Sequence, residues 1–138
     1  MKYLMMVTGT QLDYEAMAGK ASEGNPAWGE KDIQTMFAHM QKINDDLAET
    51  GEMLAGEGLA EPAKTRFVTP DAQGRPVISD GPYGETKELL AGFWILECES
   101  LDRVTEIAER VAACPAPAGA PVRPVVIRPI LDSGGDLC

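Results

Sequence analysis

The chain has 138 residues, the size of one domain, and its apolar fraction of 44% is enough for a hydrophobic core. Its 12 basic and 22 acidic residues give a net charge of −10, which disfavours binding to nucleic-acid phosphates and to anionic membrane surfaces. No apolar run reaches the ~18 residues of a membrane span, and the run after Met1 is too short for a signal peptide. We therefore expect a single cytoplasmic domain with no nucleic-acid or membrane partner.

The first 30 residues predict a buried strand and then a long polar segment. Residues 2–8 are apolar on both faces, as in a strand that is covered on both sides. Residues 9–30 are polar and contain several glycines, which predicts a variable surface loop. A loop of this length is either a surface insertion or a lid over a binding site.

The middle of the chain predicts one long helix and three short strands. Residues 31–50 carry apolar side chains at steps of three and four, and Gly51 is a typical stop signal. Residues 52–60 predict a weak strand. Residues 64–69 and 75–79 predict a hairpin, because a proline, an aspartate and a glycine lie between them.

The C-terminal third predicts a strand, a helix and a last strand. Residues 92–99 form the best strand, with one wholly apolar face and an opposite face that changes from apolar to acidic. Ser100 can cap the helix that follows, and two prolines end that helix. Residues 122–130 contain two prolines, which is typical of an edge strand. Residues 131–138 are predicted to form a flexible tail.

This order predicts an α+β fold over residues 1–138, with a ferredoxin-like, mainly antiparallel sheet and two helices on one face. Two helices leave the second sheet face uncovered. That face carries apolar residues such as Phe93 and Ile95. Because so apolar a face usually has a partner, we expect a homodimer joined through sheet faces.

His39 and Asp80 are the first candidates for chemistry. His39 is the chain's one histidine and lies at the edge of the buried face of its predicted helix. Its imidazole is suited to general acid or base catalysis at neutral pH, or it packs at the boundary without a role. Asp80 opens a turn, where its carboxylate either accepts backbone N–H groups or orients His39. Linear spacing does not decide between these interpretations.

Several other polar residues are candidates for binding a substrate. Tyr83 and Lys87 follow the turn in the run YGETK, and Arg66 lies in a predicted strand. They either bind an anionic group or pair with nearby acids such as Glu97. Cys98 shares the apolar strand face, which predicts an inert buried thiol. With one histidine, three cysteines without C-x-x-C spacing and no phosphate-binding glycine loop, the sequence predicts neither a metal site nor a cofactor.

The segment SDGPYGETKELLAGFWILECES, residues 79–100, resembles the signature of the DGPF-type proteins of the YCII-related family, with Tyr83 where phenylalanine is usual. The runs MKYLMMV and VVIRPI are similar to the family's first and closing strands, and residues 38–62 to its first helix and second strand. The resemblance implies a dimeric α/β barrel, formed by packing sheet against sheet. It also implies a poorly defined function, because most members have no assigned reaction.

The resemblance implies two hypotheses about function. Some related YCII proteins are thought to use a His–Asp pair for acid/base chemistry on small ring compounds. His39 lies at the position that resembles the family histidine, and Asp80 is the signature aspartate. The first hypothesis is therefore a cofactor-independent lyase, dehydrochlorinase or isomerase acting on a small organic molecule, with Tyr83, Arg66 and Lys87 as substrate contacts. Some members are associated with extracytoplasmic-function sigma factors, so the second is a non-catalytic ligand-binding or regulatory module.

Overall fold

The computed structural model of the chain describes residues 1–80 and 84–131. The elements in chain order are β1 (Lys2–Gly9), α1 (Gln11–Met17), α2 (Glu30–Thr50), β2 (Met53–Gly58), a 3-10 turn (Pro62–Lys64), β3 (Arg66–Pro70), β4 (Pro76–Asp80), β5 (Leu89–Glu97), α3 (Leu101–Ala112) and β6 (Val125–Pro129). The predicted α+β class is confirmed. The predicted long helix and C-terminal helix correspond to α2 and α3.

The main sheet has four antiparallel strands in the order β2-β5-β1-β6. The predicted ferredoxin-like layout is confirmed, and β1 and β5 are the two central strands. Strand β6 lies at an edge of the sheet, as predicted. Proline has no N–H group, and at an edge Pro129 interrupts no hydrogen bonding to a further strand. Strands β3 and β4 form a separate hairpin whose residues are all exposed.

The core lies between one face of this sheet and helices α2 and α3. Alternate residues of β1 and β5 are buried against the two helices, as the period of a strand requires. These core residues are Tyr3, Met5, Trp94, Leu96 and Cys98 from the sheet side, with Ile43, Leu47, Val104, Ile107 and Val111 from the helices. The predicted burial of one face of residues 92–99 is confirmed.

The opposite sheet face is apolar and only half-buried. Leu4 pairs with Ile95 and Met6 pairs with Phe93 across β1 and β5, on the side away from the core cluster. Among residues 1–80 and 84–131, no helix packs on this face to form a second core. A second copy of the chain covering it stays a prediction.

Helix α1 was not predicted, because residues 9–30 were interpreted as a loop. Its N-terminus is fixed by a capping box in which Thr10 Oγ1 accepts from the Asp13 N–H at 3.1 Å and Asp13 Oδ2 accepts from the Thr10 N–H at 3.0 Å. The Trp28 N–H donates to the Ala16 carbonyl at 2.9 Å, so the segment after α1 folds back on it. These residues form an ordered wall beside the sheet.

Helix α2 ends where predicted, at Gly51, whose φ of 77° is a left-handed conformation that glycine adopts without strain. The predicted turn at residues 80–84 and the predicted tail at 131–138 lie almost wholly outside the described residues. None of the described helices is long and apolar enough to cross a membrane.

Candidate functional site

A cavity of about 790 Å³ lies between the sheet and the helices, near the residues where β1 ends and β2 gives way to its loop. The first half of α2 forms one wall, α1 and the segment after it form a second, and residues 111–125 form a third. Cavities that hold small molecules in proteins typically measure about 300–1,000 Å³. The size therefore suits a small organic ligand.

Most of the cavity's side chains are apolar. They are Val7, Met17, Trp28, Met36, Phe37, Met40, Met53, Trp94, Val111, Val122 and Val125. Four of the chain's seven methionines and both of its tryptophans are in this set. Methionine side chains are flexible and polarizable, so a wall rich in them adapts to ligands of different shape.

Two glycines keep the sheet floor of the cavity close-packed. A Cβ at Gly92 would lie 3.3 Å from the Glu57 carbonyl oxygen and 3.4 Å from Val7 Cγ2. A Cβ at Gly56 would lie 3.0 Å from Met53 Cε and 3.3 Å from Trp94 Cδ1. Larger residues at either position would displace the side chains that shape the floor.

An ion pair, which we call the latch, joins two walls of the cavity. Arg123 donates from Nε and Nη2 to the two carboxylate oxygens of Asp13, each at 3.0 Å. Burial raises the pKa of Asp13, but the hydrogen bonds from Arg123 and Thr10 outweigh it, so that this pKa lies below its ordinary value. The hydrogen bonds to Asp13 raise the pKa of Arg123 in turn. The latch ties α1 to the segment before β6.

Tyr14 anchors α1 to the sheet. Its hydroxyl donates to the Leu59 carbonyl at 2.9 Å and lies 3.4 Å from the Ala91 carbonyl. Burial raises the pKa of the Tyr14 phenol, which therefore stays protonated at neutral pH. Because its one O–H is committed to the backbone, Tyr14 contributes a ring face to the cavity.

Asn44 places an amide in the apolar wall of α2. The Trp94 indole N–H donates to Asn44 Oδ1 at 2.8 Å. An indole N–H can only donate, so this contact assigns the oxygen of the Asn44 amide to Trp94 and leaves its NH₂ group on the other side. Both residues line the cavity.

The structure gives His39 a partner other than Asp80. Its Nε2 lies 2.7 Å from the Arg110 carbonyl oxygen, so the ring donates to the backbone of α3 near the end of that helix. His39 is half-buried between α2 and α3 and does not line the cavity. In this arrangement the imidazole ties the two helices together.

Asp80 and Arg66 are brought together on the exposed hairpin, where Arg66 Nη2 donates to Asp80 Oδ2 at 3.1 Å. They face each other across β3 and β4 in the strand register. Within the described part of the chain, no hydrogen bond or ion pair joins Asp80 to His39. Lys87 is exposed and does not line the cavity, and Tyr83 lies outside the described residues. The catalytic role of the His39–Asp80 pair stays a prediction.

A second polar cluster lies at the opposite end of the sheet. Glu52 accepts from Arg103 Nε and Nη2, each at 2.8 Å. These hydrogen bonds lower the pKa of Glu52 to about 2. Burial and the neighbouring Glu52 carboxylate raise the pKa of Cys98 to about 11, so this thiol is protonated and unreactive at neutral pH, as predicted. Residues 1–80 and 84–131 contain no group of three or more His, Cys, Asp or Glu side chains that could hold a metal ion.

Sequence reasoning missed the polar residues of the cavity, which include Thr8, Asp13, Tyr14, Asn25, Asn44 and Arg123. Asn44 carried a usable signal, because it lies four residues after Met40 within the apolar stripe of α2 and interrupts that stripe. Thr10 and Asp13 form a T-x-x-D pattern that resembles a helix capping box. No local pattern indicates that Arg123 meets Asp13.

Comparison with known proteins shows the family to which the chain belongs. It is 26% identical over 102 residues to an uncharacterised protein of Rhizobium meliloti (strain 1021), an alignment that covers 73% of this chain and 82% of the relative. The YCII-related domain matches residues 1–128, which include every described helix and strand up to the penultimate residue of β6. The chain therefore belongs to the YCII-related family.

Proposed function

We propose that this YCII-related protein binds a small, largely apolar organic molecule in the cavity between its sheet and its helices. The observation that carries the proposal is the cavity itself, about 790 Å³ in volume and lined mainly by methionine, valine and aromatic side chains. Burying apolar ligand surface there supplies about 25 cal/mol per Å². The few polar groups on the walls would set the ligand's orientation.

The charges around the cavity favour a neutral ligand. Asp13 and Arg123 neutralise each other in the latch. Glu57 borders the cavity but pairs with Phe93 in the strand register, so its carboxylate lies on the opposite sheet face. The net charge of −10 gives the protein a negative field that disfavours an anionic ligand. An anionic ligand would need a free cation in the cavity, and Arg66 and Lys87, the predicted anion-binding residues, do not line it.

Acid/base catalysis by His39 and Asp80 is the second candidate function. It is supported by the resemblance of residues 79–100 to the DGPF-type signature, and we retain that finer placement as part of the proposal. The contacts favour ligand binding over acid/base catalysis, because His39 donates to the backbone of α3 and Asp80 is paired with Arg66 on an exposed hairpin. Catalysis would require both side chains to leave these partners.

We also propose the homodimer, which would cover the apolar sheet face of β1 and β5. The support is the row of half-buried apolar side chains on that face, which includes Leu4, Met6, Phe93 and Ile95. Light scattering tests this: the expected mass is twice the 14.8 kDa of one chain. A mass of one chain at micromolar concentration would refute it.

The binding proposal is tested with methyl-¹³C-methionine and ethylbenzene, a small neutral aromatic probe. The methyl signals of Met17, Met36, Met40 and Met53, which line the cavity, should shift in a saturable way. Met6, on the opposite sheet face, should not shift and serves as an internal reference. If none of the four signals moves up to the solubility limit of ethylbenzene, the cavity does not bind such molecules and the proposal fails.

A pair of variants locates the binding. Met40→Trp should fill part of the cavity and weaken ethylbenzene binding by about tenfold or more, since each buried CH₂ of lost contact is worth about 0.8 kcal/mol. Ile78→Trp adds the same residue on the exposed hairpin, away from the cavity, and should leave binding unchanged. Equal effects from both variants would place the probe elsewhere.

A further inference from the structure

The amide of Asn44 is the polar side chain of the cavity's α2 wall, and it combines a fixed orientation with unused donors. Its Oδ1 is held by the Trp94 indole N–H at 2.8 Å. No other hydrogen bond of the Asn44 side chain occurs among residues 1–80 and 84–131. Asn44 is half-buried and lines the cavity, so its NH₂ group remains to be satisfied by a ligand or by water.

The other polar side chains lie on the other walls of the cavity, and most of them have partners within the protein; one exception is the buried Asn25, whose side chain has no hydrogen bond among the described residues. The Tyr14 hydroxyl donates to the Leu59 carbonyl, and the guanidinium of Arg123 holds Asp13 with two hydrogen bonds. Glu57 pairs with Phe93 in the strand register, so its side chain lies on the opposite sheet face. The donor that a ligand meets among the apolar side chains of the α2 wall is therefore the Asn44 NH₂ group.

We infer that Asn44 selects ligands that carry a hydrogen-bond-accepting oxygen, so that the ligand class is a neutral apolar molecule with a ketone, ester or amide carbonyl. This rests on the proposed binding function and adds its specificity. The carbonyl oxygen accepts from the Asn44 NH₂ group, while the apolar body packs against the methionines and Trp94. Trp94 acts through Asn44 as a positioning residue, because its N–H prevents the amide from rotating its oxygen toward the ligand.

The test compares two probes of similar shape, acetophenone and ethylbenzene, which differ chiefly by the carbonyl oxygen. The quantity is the ratio of the Kd for ethylbenzene to the Kd for acetophenone, from methionine methyl shifts. Asn44→Asp keeps an oxygen for the Trp94 N–H and replaces the NH₂ donors by an acceptor. We expect this variant to lower the ratio about 3- to 10-fold, as the loss of one hydrogen bond predicts.

Gln73→Glu is the matched control, because it makes the same amide-to-carboxylate change at an exposed residue of the hairpin turn. It should leave the ratio unchanged. A measurement on the wild-type protein supports the inference without any variant: acetophenone should shift the Asn44 side-chain NH₂ resonances in a ¹H–¹⁵N spectrum, and ethylbenzene should shift them less.

The outcomes separate this inference from the binding proposal. If ethylbenzene binds and the ratio is the same in wild type and Asn44→Asp, or if the two probes shift the Asn44 NH₂ resonances equally, the role of Asn44 is refuted while binding stands. If neither probe shifts the cavity methionines, both fail. If Gln73→Glu lowers the ratio as much as Asn44→Asp does, net charge sets the preference and the inference is overturned.

Discussion

The latch between Asp13 and Arg123 predicts a measurable coupling between α1 and the segment before β6. Asp13→Asn removes the charge but keeps an oxygen that can accept from the Thr10 N–H, so the capping of α1 survives. The latch has two hydrogen bonds of 3.0 Å, and its side chains are 19% and 29% exposed. Hydrogen bonds to charged groups contribute about 1.5–3 kcal/mol when buried, and exposed pairs about 0.2–1 kcal/mol. We expect an intermediate coupling of about 1–2 kcal/mol.

The assay is a double-mutant cycle of urea unfolding at pH 7 with Asp13→Asn, Arg123→Gln and the double variant. Tryptophan fluorescence follows unfolding, because both tryptophans of the chain line the cavity beside the latch. Glu57→Gln is the control: it removes a negative charge from β2, beside the cavity, at an exposed residue that has no ion pair among the described residues. It should change the unfolding free energy by less than about 0.5 kcal/mol.

Cutting the latch should also weaken ligand binding, since α1 and the segment before β6 both line the cavity. The affinity of Asp13→Asn for ethylbenzene should fall severalfold, while that of Glu57→Gln stays within twofold. A coupling energy below about 0.3 kcal/mol, within the usual error of additivity, would refute the reasoning that the latch holds two walls together.

Three further predictions concern the structure around the site. The lowered pKa of Glu52 means that the Arg103 pair stabilises the fold above pH 4.5 and that this stability is lost as the pH falls toward 2. In urea, the unfolding free energy of Glu52→Gln should therefore be about 2 kcal/mol below that of the wild type at pH 7. This difference should shrink steadily below pH 4.5, and a difference that does not change with pH would contradict the prediction. His39→Ala should cost about 1 kcal/mol in the same assay, by removing the hydrogen bond to the Arg110 carbonyl, and should leave ethylbenzene binding within twofold; a tenfold loss would place His39 in the site. Gly92→Ala should lower the free energy of unfolding by about 1–3 kcal/mol, because the added Cβ would contact the Glu57 backbone. An unchanged free energy would show that the strands move apart enough to accommodate the methyl group.

The elements that the sequence predicts well are those whose pattern is long compared with its period. The apolar side chains of α2 recur at helical spacing along a helix of 21 residues, which excludes a strand. Buried and less buried side chains alternate along the nine residues of β5, which excludes a helix. Helix α1 has seven residues, fewer than two full turns beyond its cap. Its stability depends on the capping box, on Tyr14 and on the latch, and two of these three are contacts with distant parts of the chain.

The site was harder to predict than the fold, because its polar residues are far apart in sequence. The latch joins residues separated by 110 positions, and the pair of Trp94 and Asn44 by 50. Such pairs form only once the strand order has brought β1, β5 and the segment before β6 together at one end of the main sheet. The irregularity of Asn44 within an apolar stripe was visible, but its meaning depended on the neighbouring strand.

Asp80 and the cavity occupy different parts of the fold, although residues 79–100, the segment that begins beside Asp80, also supply Gly92 and Trp94 to the cavity. Asp80 closes the exposed hairpin by pairing with Arg66 across β3 and β4, whereas the cavity lies between the helices and the main sheet. Two strands alone are marginally stable in water, so the pair helps to fix the register of a hairpin whose strand residues are all exposed. In that position Asp80 stabilises a projecting surface. Under the proposed function, the polar residues beside the ligand are then Asn44 and the latch, and not Asp80.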